Sequence, residues 1–259
     1  MILIKLGGSV ITDKSRYRTF NRECTARLCQ EIKKSGKSVI IIHGAGSFGH
    51  IIASRHFLNL GLRSKEQISA YVQACYDTRC LSLLVVKELN DAGLPAVSIP
   101  TGSCFMTRNG RLVIRDDSVL REMFKLGVIP VTFGDVVLDT KFGLAICSGD
   151  QLVETFVDIF HPSKVVFVSD VDGLYYDDPK CNPGAGFVRI VSKSILSAVK
   201  TDNVTTDVTG GMKKKVETML RISSKGCDCV LVNGIVKGRL LSVLADECVP
   251  CTIAKGQMK

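Results

Sequence analysis

The feature that most constrains this chain is one short passage, Ser38-Val39-Ile40-Ile41-Ile42 running into His43-Gly44-Ala45-Gly46-Ser47-Phe48-Gly49-His50. The apolar β-branched run reads as a buried strand. Ile51-Ile52-Ala53-Ser54 then opens a segment of helical composition. The glycines between them predict a sharp strand-to-helix turn, where the first helical N–H groups lack internal acceptors. Such a turn aims backbone donors and the positive end of a helix dipole at one point, so an oxyanion can settle there. His50, one residue past the last glycine, is expected in the first helical turn. It adds a side-chain donor that can carry charge near neutral pH. The passage reads as the seat of a phosphorylated substrate.

Gly44-x-Gly46-x-x-Gly49 also spells the dinucleotide fingerprint. That motif needs the first βαβ unit and an acidic residue at the end of the next strand, about 20 residues on. Here the turn follows the second strand, and Leu62-Arg63-Ser64-Lys65-Glu66 is a charged helix start. The context argues against a dinucleotide. A purely structural glycine turn, with His50 as an ordinary helix-start residue, is the plain alternative from this stretch alone.

Composition bounds the rest. A chain of 259 residues, 46% hydrophobic and 23% charged, is ordinary for a globular enzyme and long enough for a large core. Its net charge of +9 suits anionic ligands. Nucleic acid is not expected as a partner, because there is no Trp and aromatic content is only 6%. Eleven cysteines without a secretory leader predict reduced thiols and a cytoplasmic location. No apolar run approaches the roughly 18 residues of a membrane span, so no membrane contact is expected. Cys227-x-Cys229 with Cys248-x-x-Cys251 is the nearest thing to a metal pattern, and its spacing suits half-buried strands better. No metal ligands are expected.

In chain order, Met1 to Leu6 reads as the first strand, ending in Lys5-Leu6-Gly7-Gly8-Ser9. Val10 to Phe20 reads as a polar loop carrying Lys14. Asn21 is expected to cap a helix to about Lys34. A short helix to about Leu58 follows the glycine turn. A longer one from about Ser64 to Asp91 should bury a stripe of Ile68, Val72, Cys75, Leu81, Leu84 and Leu89. Asn109-Gly110 marks a hairpin, Asp117 a helix cap, and Gly134 to Cys147 a second hairpin. Ser148-Gly149-Asp150 starts another helix. Strand Lys164 to Ser169 leads into Asp170, and a Gly/Pro/Asn loop through Asp178-Pro179 reaches Gly186. Thr209-Gly210-Gly211-Met212 leads into a helix to about Lys225, and a strand, a helix and a last strand close the sequence. Strands alternating with helices predict an α/β fold, a largely parallel sheet with helices on both faces.

In such a sheet ligands sit beyond the carboxyl ends of the strands. Turns there would bring Lys5, His50, Asp150, Asp170 and Lys215 to one crevice. That is an inventory for phosphoryl transfer: cations, backbone donors, and a carboxylate to position the cations or Mg²⁺.

Four passages then carry a resemblance: Lys5-Leu6-Gly7-Gly8-Ser9, Gly44-Ala45-Gly46, Ser169-Asp170-Val171-Asp172-Gly173-Leu174-Tyr175, and Asp207-Val208-Thr209-Gly210-Gly211-Met212-x-x-Lys215. Together they resemble the amino acid kinase superfamily, from residue 1 to about 255. Within it, Gly44 to His50 with the Ser9-Val10-Ile11-Thr12-Asp13-Lys14 extension is similar to the isopentenyl phosphate kinases of the archaeal mevalonate route. The fosfomycin kinases share the histidine and are the nearest confusable group.

The resemblance implies one domain over 1–259, a three-layer αβα sandwich around a mostly parallel open sheet. Residues up to about 145 would serve the phosphate acceptor, and those from about 146 the nucleotide. It implies ATP with Mg²⁺ as cofactors and a homodimer. Lys5 would contact the transferring phosphoryl, with Gly7, Gly8 and Ser9 around the phosphates. Lys14 would stabilise the transition state. Gly44, Ala45, Gly46 and Gly49 would hold phosphates by backbone N–H groups, Ala45 facing both ligands, and His50 would donate to the substrate's non-transferred phosphate. Gly149 and Asp150 would line the substrate side, with Asp150 orienting lysines. Ser169, Asp170 and Tyr175 would border the nucleotide, and Gly210, Gly211 and Lys215 would reach its distal phosphates. The implied activity is ATP-dependent phosphorylation of isopentenyl phosphate, with a fosfomycin-type phosphonate kinase, another small-molecule kinase of the same superfamily, or a non-catalytic nucleotide-binding module as alternatives. A hydrocarbon pocket would lie along the Ile68 to Leu84 helix, bounded by Tyr71 and Tyr76, which could equally be core.

Overall fold

The structure is a computed structural model that describes residues 1–114, 116–177, 181–182, 184–199 and 208–256, with the side chains of 208–210 left aside. Its strands are β1 (Ile2–Leu6), β2 (Val39–His43), β3 (Ala96–Ser98), β4 (Phe105–Arg108), β5 (Arg111–Ile114), β6 (Ile129–Phe133) and β7 (Asp135–Asp139). They continue as β8 (Gly143–Cys147), β9 (Lys164–Ser169), β10 (Leu174–Tyr175), β11 (Phe187–Val188), β12 (Asp228–Asn233) and β13 (Cys251–Ala254). The helices are α1 (Gly8–Ile11), α2 (Arg22–Ser35), α3 (Gly46–Arg55), α4 (Gln67–Asp91) and α5 (Thr101–Cys104). After them come α6 (Ser118–Lys125), α7 (Gly149–Phe160), α8 (Lys193–Ala198), α9 (Val208–Ser223) and α10 (Arg239–Leu244).

Seven strands form the central sheet in the order β13-β12-β9-β1-β2-β6-β3, parallel except for β13. Two small sheets flank it, β5-β4-β7-β8 and β10-β11. The period of two sets the layers. Ile2, Ile4, Leu6, Ile41, Val168 and Val232 pack against α2, α4 and α10 on one face. Leu3, Ile42, Phe167 and Leu231 pack against α7 and α9 on the other. The fold is therefore the three-layer α/β sandwich that the alternation of elements implied. Each buried Leu or Ile contributes about 1.5–3 kcal/mol, and a one-residue slip would exchange the faces of a whole strand. That register puts Lys5 on the Leu3 face, beneath α7. Among the described residues no helix is long and apolar enough to cross a membrane.

Local signals explain several element ends. Asn21 caps α2 by accepting from Cys24 N at 3.2 Å, and Ser148 caps α7 by accepting from Gln151 N at 3.2 Å. Asn109 and Gly110, at φ 54° and 72°, make the hairpin turn between β4 and β5. Several expectations need correction. Val10 and Ile11 are fully buried in the helical turn α1, so the polar loop starts at Thr12. The helix after the glycine turn ends at Arg55, and Leu58–Leu60 is a separate 3₁₀ turn. Asp117 holds the N-cap position of α6 as expected, but its side chain bonds Arg121, and Asp116 takes the N–H of Ser118. Thr209 to Met212 lies inside α9 rather than before it. On α4, Ile68, Val72 and Leu84 face solvent, while Ala70, Ala74, Asp77, Thr78, Ser82, Val85 and Glu88 join Cys75, Leu81 and Leu89 on the buried side. Asp178 and Asp207 lie outside the described residues.

Candidate active site

The parallel strands bring their carboxyl ends to one edge of the sheet, where β1 runs into Gly7, β2 into Gly44, β6 into Gly134 and β9 into Asp170. The turns after β1 and β2 are in backbone contact. A Cβ on Gly8 would lie 2.7 Å from both N and Cα of Gly46, and one on Gly44 would lie 2.7 Å from Gly8 N. A side chain at either position would force the turns apart. Gly46 has φ 50°, and Thr12 fills the space a side chain there would need. Thr12 Oγ1 donates to Gly8 O at 2.6 Å and accepts from Ser47 N at 3.0 Å, so it pins both turns together.

Four residues of the second turn were expected to present N–H groups, and the structure divides them. Gly44 donates to Leu6 O at 2.9 Å and Gly49 to Ala45 O at 3.3 Å, so both donors are engaged within the fold. Gly49 instead lets α3 approach α4, since a Cβ there would lie 3.2 Å from Thr78 Cγ2. Among the described residues Ala45 and Gly46 keep N–H groups without an acceptor. Gly134 adds what the sequence reading missed. A Cβ on it would lie 3.3 Å from Gly149 N and 3.5 Å from Ala45 N. Lacking one, it leaves a hollow bordered by N–H groups at the starts of α3 and α7, which suits an oxyanion.

Beside these turns the cationic groups gather. Lys5 Nζ lies 3.0 Å from Asp150 Oδ1, and its Cε would sit 3.1 Å from a Cβ on Gly149, so that glycine lets the lysine pass under the first turn of α7. Lys215, from α9, donates to Ser169 Oγ at 3.4 Å. Ser9 and Ser169 hydroxyls both donate to Asp170 Oδ1, at 2.7 and 3.3 Å. Burial and the nearby Lys5 charge push the Lys215 ammonium down to about 8, although Asp150 and Asp170 favour its charge. Burial would raise the Asp150 carboxyl, but Lys5 and Lys215 outweigh it and hold it below the usual range. Asp170 is likewise raised by burial and lowered further by the Ser9 hydroxyl, with Lys14 and Lys215 contributing. Lys14 itself is exposed on the loop after Thr12.

His50 is exposed on α3, a full turn after that helix begins. Tyr175 sits on the β10-β11 ribbon with its ring 5.1 Å from that of Phe187. Gly210 and Gly211 are in the first turns of α9, and a Cβ on Gly211 would meet open space. Lys5, Lys215, Ser9, Ser169, Asp150, Asp170 and the glycines of the first two turns therefore come together, while Tyr175 packs its ring on Phe187 and Gly211 faces open space. His43, which the sequence offers only as the first residue of the glycine passage, is the last residue of β2. It is fully buried, stacked 5.2 Å from Phe133, with Nδ1 3.0 Å from Gly44 O, and burial pushes it down to about 4. A neutral imidazole that donates from Nδ1 fixes the carbonyl of Gly44 at the start of the turn. For Mg²⁺, Asp150 and Asp170 are the carboxylates at hand, and both are already engaged. Among the described residues no group of three or more His, Cys, Asp or Glu side chains converges to hold a metal.

Residues 1–233 match the model of the amino acid kinase family. The chain is 33% identical over 265 aligned positions to isopentenyl phosphate kinase of Methanothermobacter thermautotrophicus, across 99% of this chain and all of that protein. It is 34% identical over 235 positions to isopentenyl phosphate kinase of Thermoplasma acidophilum, across 90% of this chain and 92% of that one. It superposes on an X-ray structure of isopentenyl phosphate kinase with a TM-score of 0.87 at 30% identity, covering 98% of this chain and 100% of that one. On its sequence, its sheet and its paired glycine turns, the chain belongs to the amino acid kinase family.

Proposed function

We propose that this chain transfers the γ-phosphoryl group of ATP to isopentenyl phosphate, giving isopentenyl diphosphate and ADP. The observation that supports the reading is the backbone contact of Gly8 with Gly44 and Gly46, which joins the turn we assign to the nucleotide phosphates to the turn we assign to the acceptor phosphate. Two phosphates held by those turns would meet in line. A phosphate oxygen of the acceptor attacks Pγ, the bond from Pγ to the β,γ-bridging oxygen breaks, and ADP leaves. The attacking oxygen is already an anion near neutral pH, so the chain needs no strong base. The barrier is mainly repulsion between anions, which Lys5, Lys14 and Lys215 with the oriented N–H groups reduce.

In this reading Ala45 and Gly46 hold phosphate oxygens, Gly149 adds a donor beside Gly134, and Asp150 fixes the Lys5 ammonium. His50 takes the non-transferred phosphate. Ser9, Ser169, Asp170 and Tyr175 border the nucleotide, with Gly210 and Gly211 near its distal phosphates. With Mg²⁺ bound beside the nucleotide the charge of its phosphates would be lower, which would leave Lys5, Lys14 and Lys215 less repulsion to offset. The hydrocarbon tail is assigned to the small apolar cluster of Ile52, Ala53, Ala70, Ala74, Val136 and Leu144, against which Tyr71 packs. Tyr76, by contrast, is exposed. The relatives named isopentenyl phosphate kinase support the substrate. A homodimer is supported by the exposed apolar residues Ile68, Val72 and Leu83 of α4. A cytoplasmic location belongs to the same proposal, on the eleven cysteines of the sequence. One fold serving both ligands, acceptor side first in the chain and nucleotide side after about residue 145, completes the proposal.

Incubation with Mg-ATP and a panel of small phosphates, phosphonates and carboxylates, reading ADP release, tests it. Turnover is expected with isopentenyl phosphate. Turnover of a phosphonate or carboxylate without isopentenyl phosphate would replace the acceptor, and ATP binding with no ADP release would indicate a binding module.

A further inference from the structure

Asp77 lies in the middle of α4 with its side chain fully buried, where a carboxylate is costly unless it is paired. Three donors meet it. Gln73 Nε2 donates to Oδ1 at 2.9 Å, Arg18 Nη1 lies 3.4 Å from Oδ1, and the Tyr17 hydroxyl donates to Oδ2. Tyr17 and Arg18 belong to the loop that carries Lys14. The base of that loop is closed by an antiparallel bridge between Thr12 and Phe20 and by Asp13 N donating to Thr19 O at 3.0 Å. Thr19 N also donates to Ser47 Oγ at 3.3 Å, joining the loop to the start of α3. Arg18 adopts φ 54°, a strained choice for a residue with a Cβ, and its guanidinium lies 5.9 Å from the Phe48 ring centre and 5.5 Å from that of Tyr76.

The loop is thus held at its base by α1 and α3 and on its far arm by α4, and Lys14 lies between those anchors. Its charge already reaches Asp170 and Lys215. We propose that Asp77 is a positioning residue, which clamps the Tyr17-Arg18 arm against α4 and so fixes Lys14 over the transferring phosphoryl. This rests on the role of Lys14 given above. A lysine on an untied loop would have to be ordered at each turnover, and the clamp removes that entropic cost from the chemical step.

The test is a double-mutant cycle on the full chain with Mg-ATP and isopentenyl phosphate, using Asp77→Asn, Lys14→Ala and the pair. Asp77→Asn is expected to lower kcat about 10-fold with KM for ATP within about twofold, and Lys14→Ala to lower it further. The pair should be no worse than Lys14→Ala alone. Tyr17→Phe should show the same pattern more weakly, and it decides the matter if Asp77→Asn does not fold. Losses that multiply in the pair, or an Asp77→Asn enzyme with normal kcat and only a lower Tm, would overturn the clamp. Normal kcat in Lys14→Ala would overturn the role of Lys14 and the clamp with it.

Discussion

His50 and Lys215 are expected to fail in different ways. If His50 holds the acceptor's non-transferred phosphate, His50→Ala should lower kcat/KM for isopentenyl phosphate by roughly 30- to 1,000-fold. His50→Gln, which keeps a donor without the charge, should fall between Ala and wild type. KM for ATP should hardly move in either. A lower Tm with normal kinetics would make His50 an ordinary helix residue. Lys215 should show itself through pH. Burial and Lys5 hold its ammonium at about 8 in the free protein, so the charged form declines as pH rises through that value. The expected outcome is kcat/KM for ATP that falls above about pH 8. Arginine stays charged throughout this range, so Lys215→Arg should lose that alkaline limb even if its absolute rate is lower. A limb of unchanged position in Lys215→Arg would assign it to another group.

At the scale of elements the sharpest prediction concerns the hollow between α3 and α7. Gly134→Ala would put a methyl within 3.3 to 3.5 Å of Gly149 N and Ala45 N. The backbone of Gly134 is not in the left-handed region, so the variant should fold. It should raise KM for the phosphate acceptor at least about 10-fold, read by steady-state kinetics beside a thermal melt. Normal KM would show that no ligand oxygen uses those donors. The sequence revealed Gly8, Gly44 and Gly46 because each sits in a turn whose local spelling demands glycine. It did not reveal Gly134, whose need arises from two N–H groups remote in sequence. The buried face of α4 was misread for a related reason. Asp77, Thr78, Ser82 and Glu88 are buried with their hydrogen bonds satisfied by other elements, while Ile68 and Val72 are exposed, so counting apolar residues picks the wrong stripe. His43 escaped notice because its partners, Phe133 and the carbonyl of Gly44, are set by the sheet.

At the scale of the molecule, β1 sits in the middle of the sheet, with β2 on one side and β9 on the other. Ile2 pairs with Val39 in one direction and with Lys164 in the other. Synthesis delivers those neighbours at very different times. At typical elongation rates, one flank of β1 waits on the order of 10 s before β9 is made. Through that interval a half-sheet of β3, β6, β2 and β1 offers an apolar strand with unpaired N–H and C=O groups to any other chain. Ribosome-bound chains of stepped length, probed by protease, should gain protection of β1 only once Ser169 has left the exit tunnel. Full protection of chains that stop near residue 150 would show that the first part folds alone. The schedule on which its strands are made thus sets how long a newborn copy of this enzyme exposes an open edge.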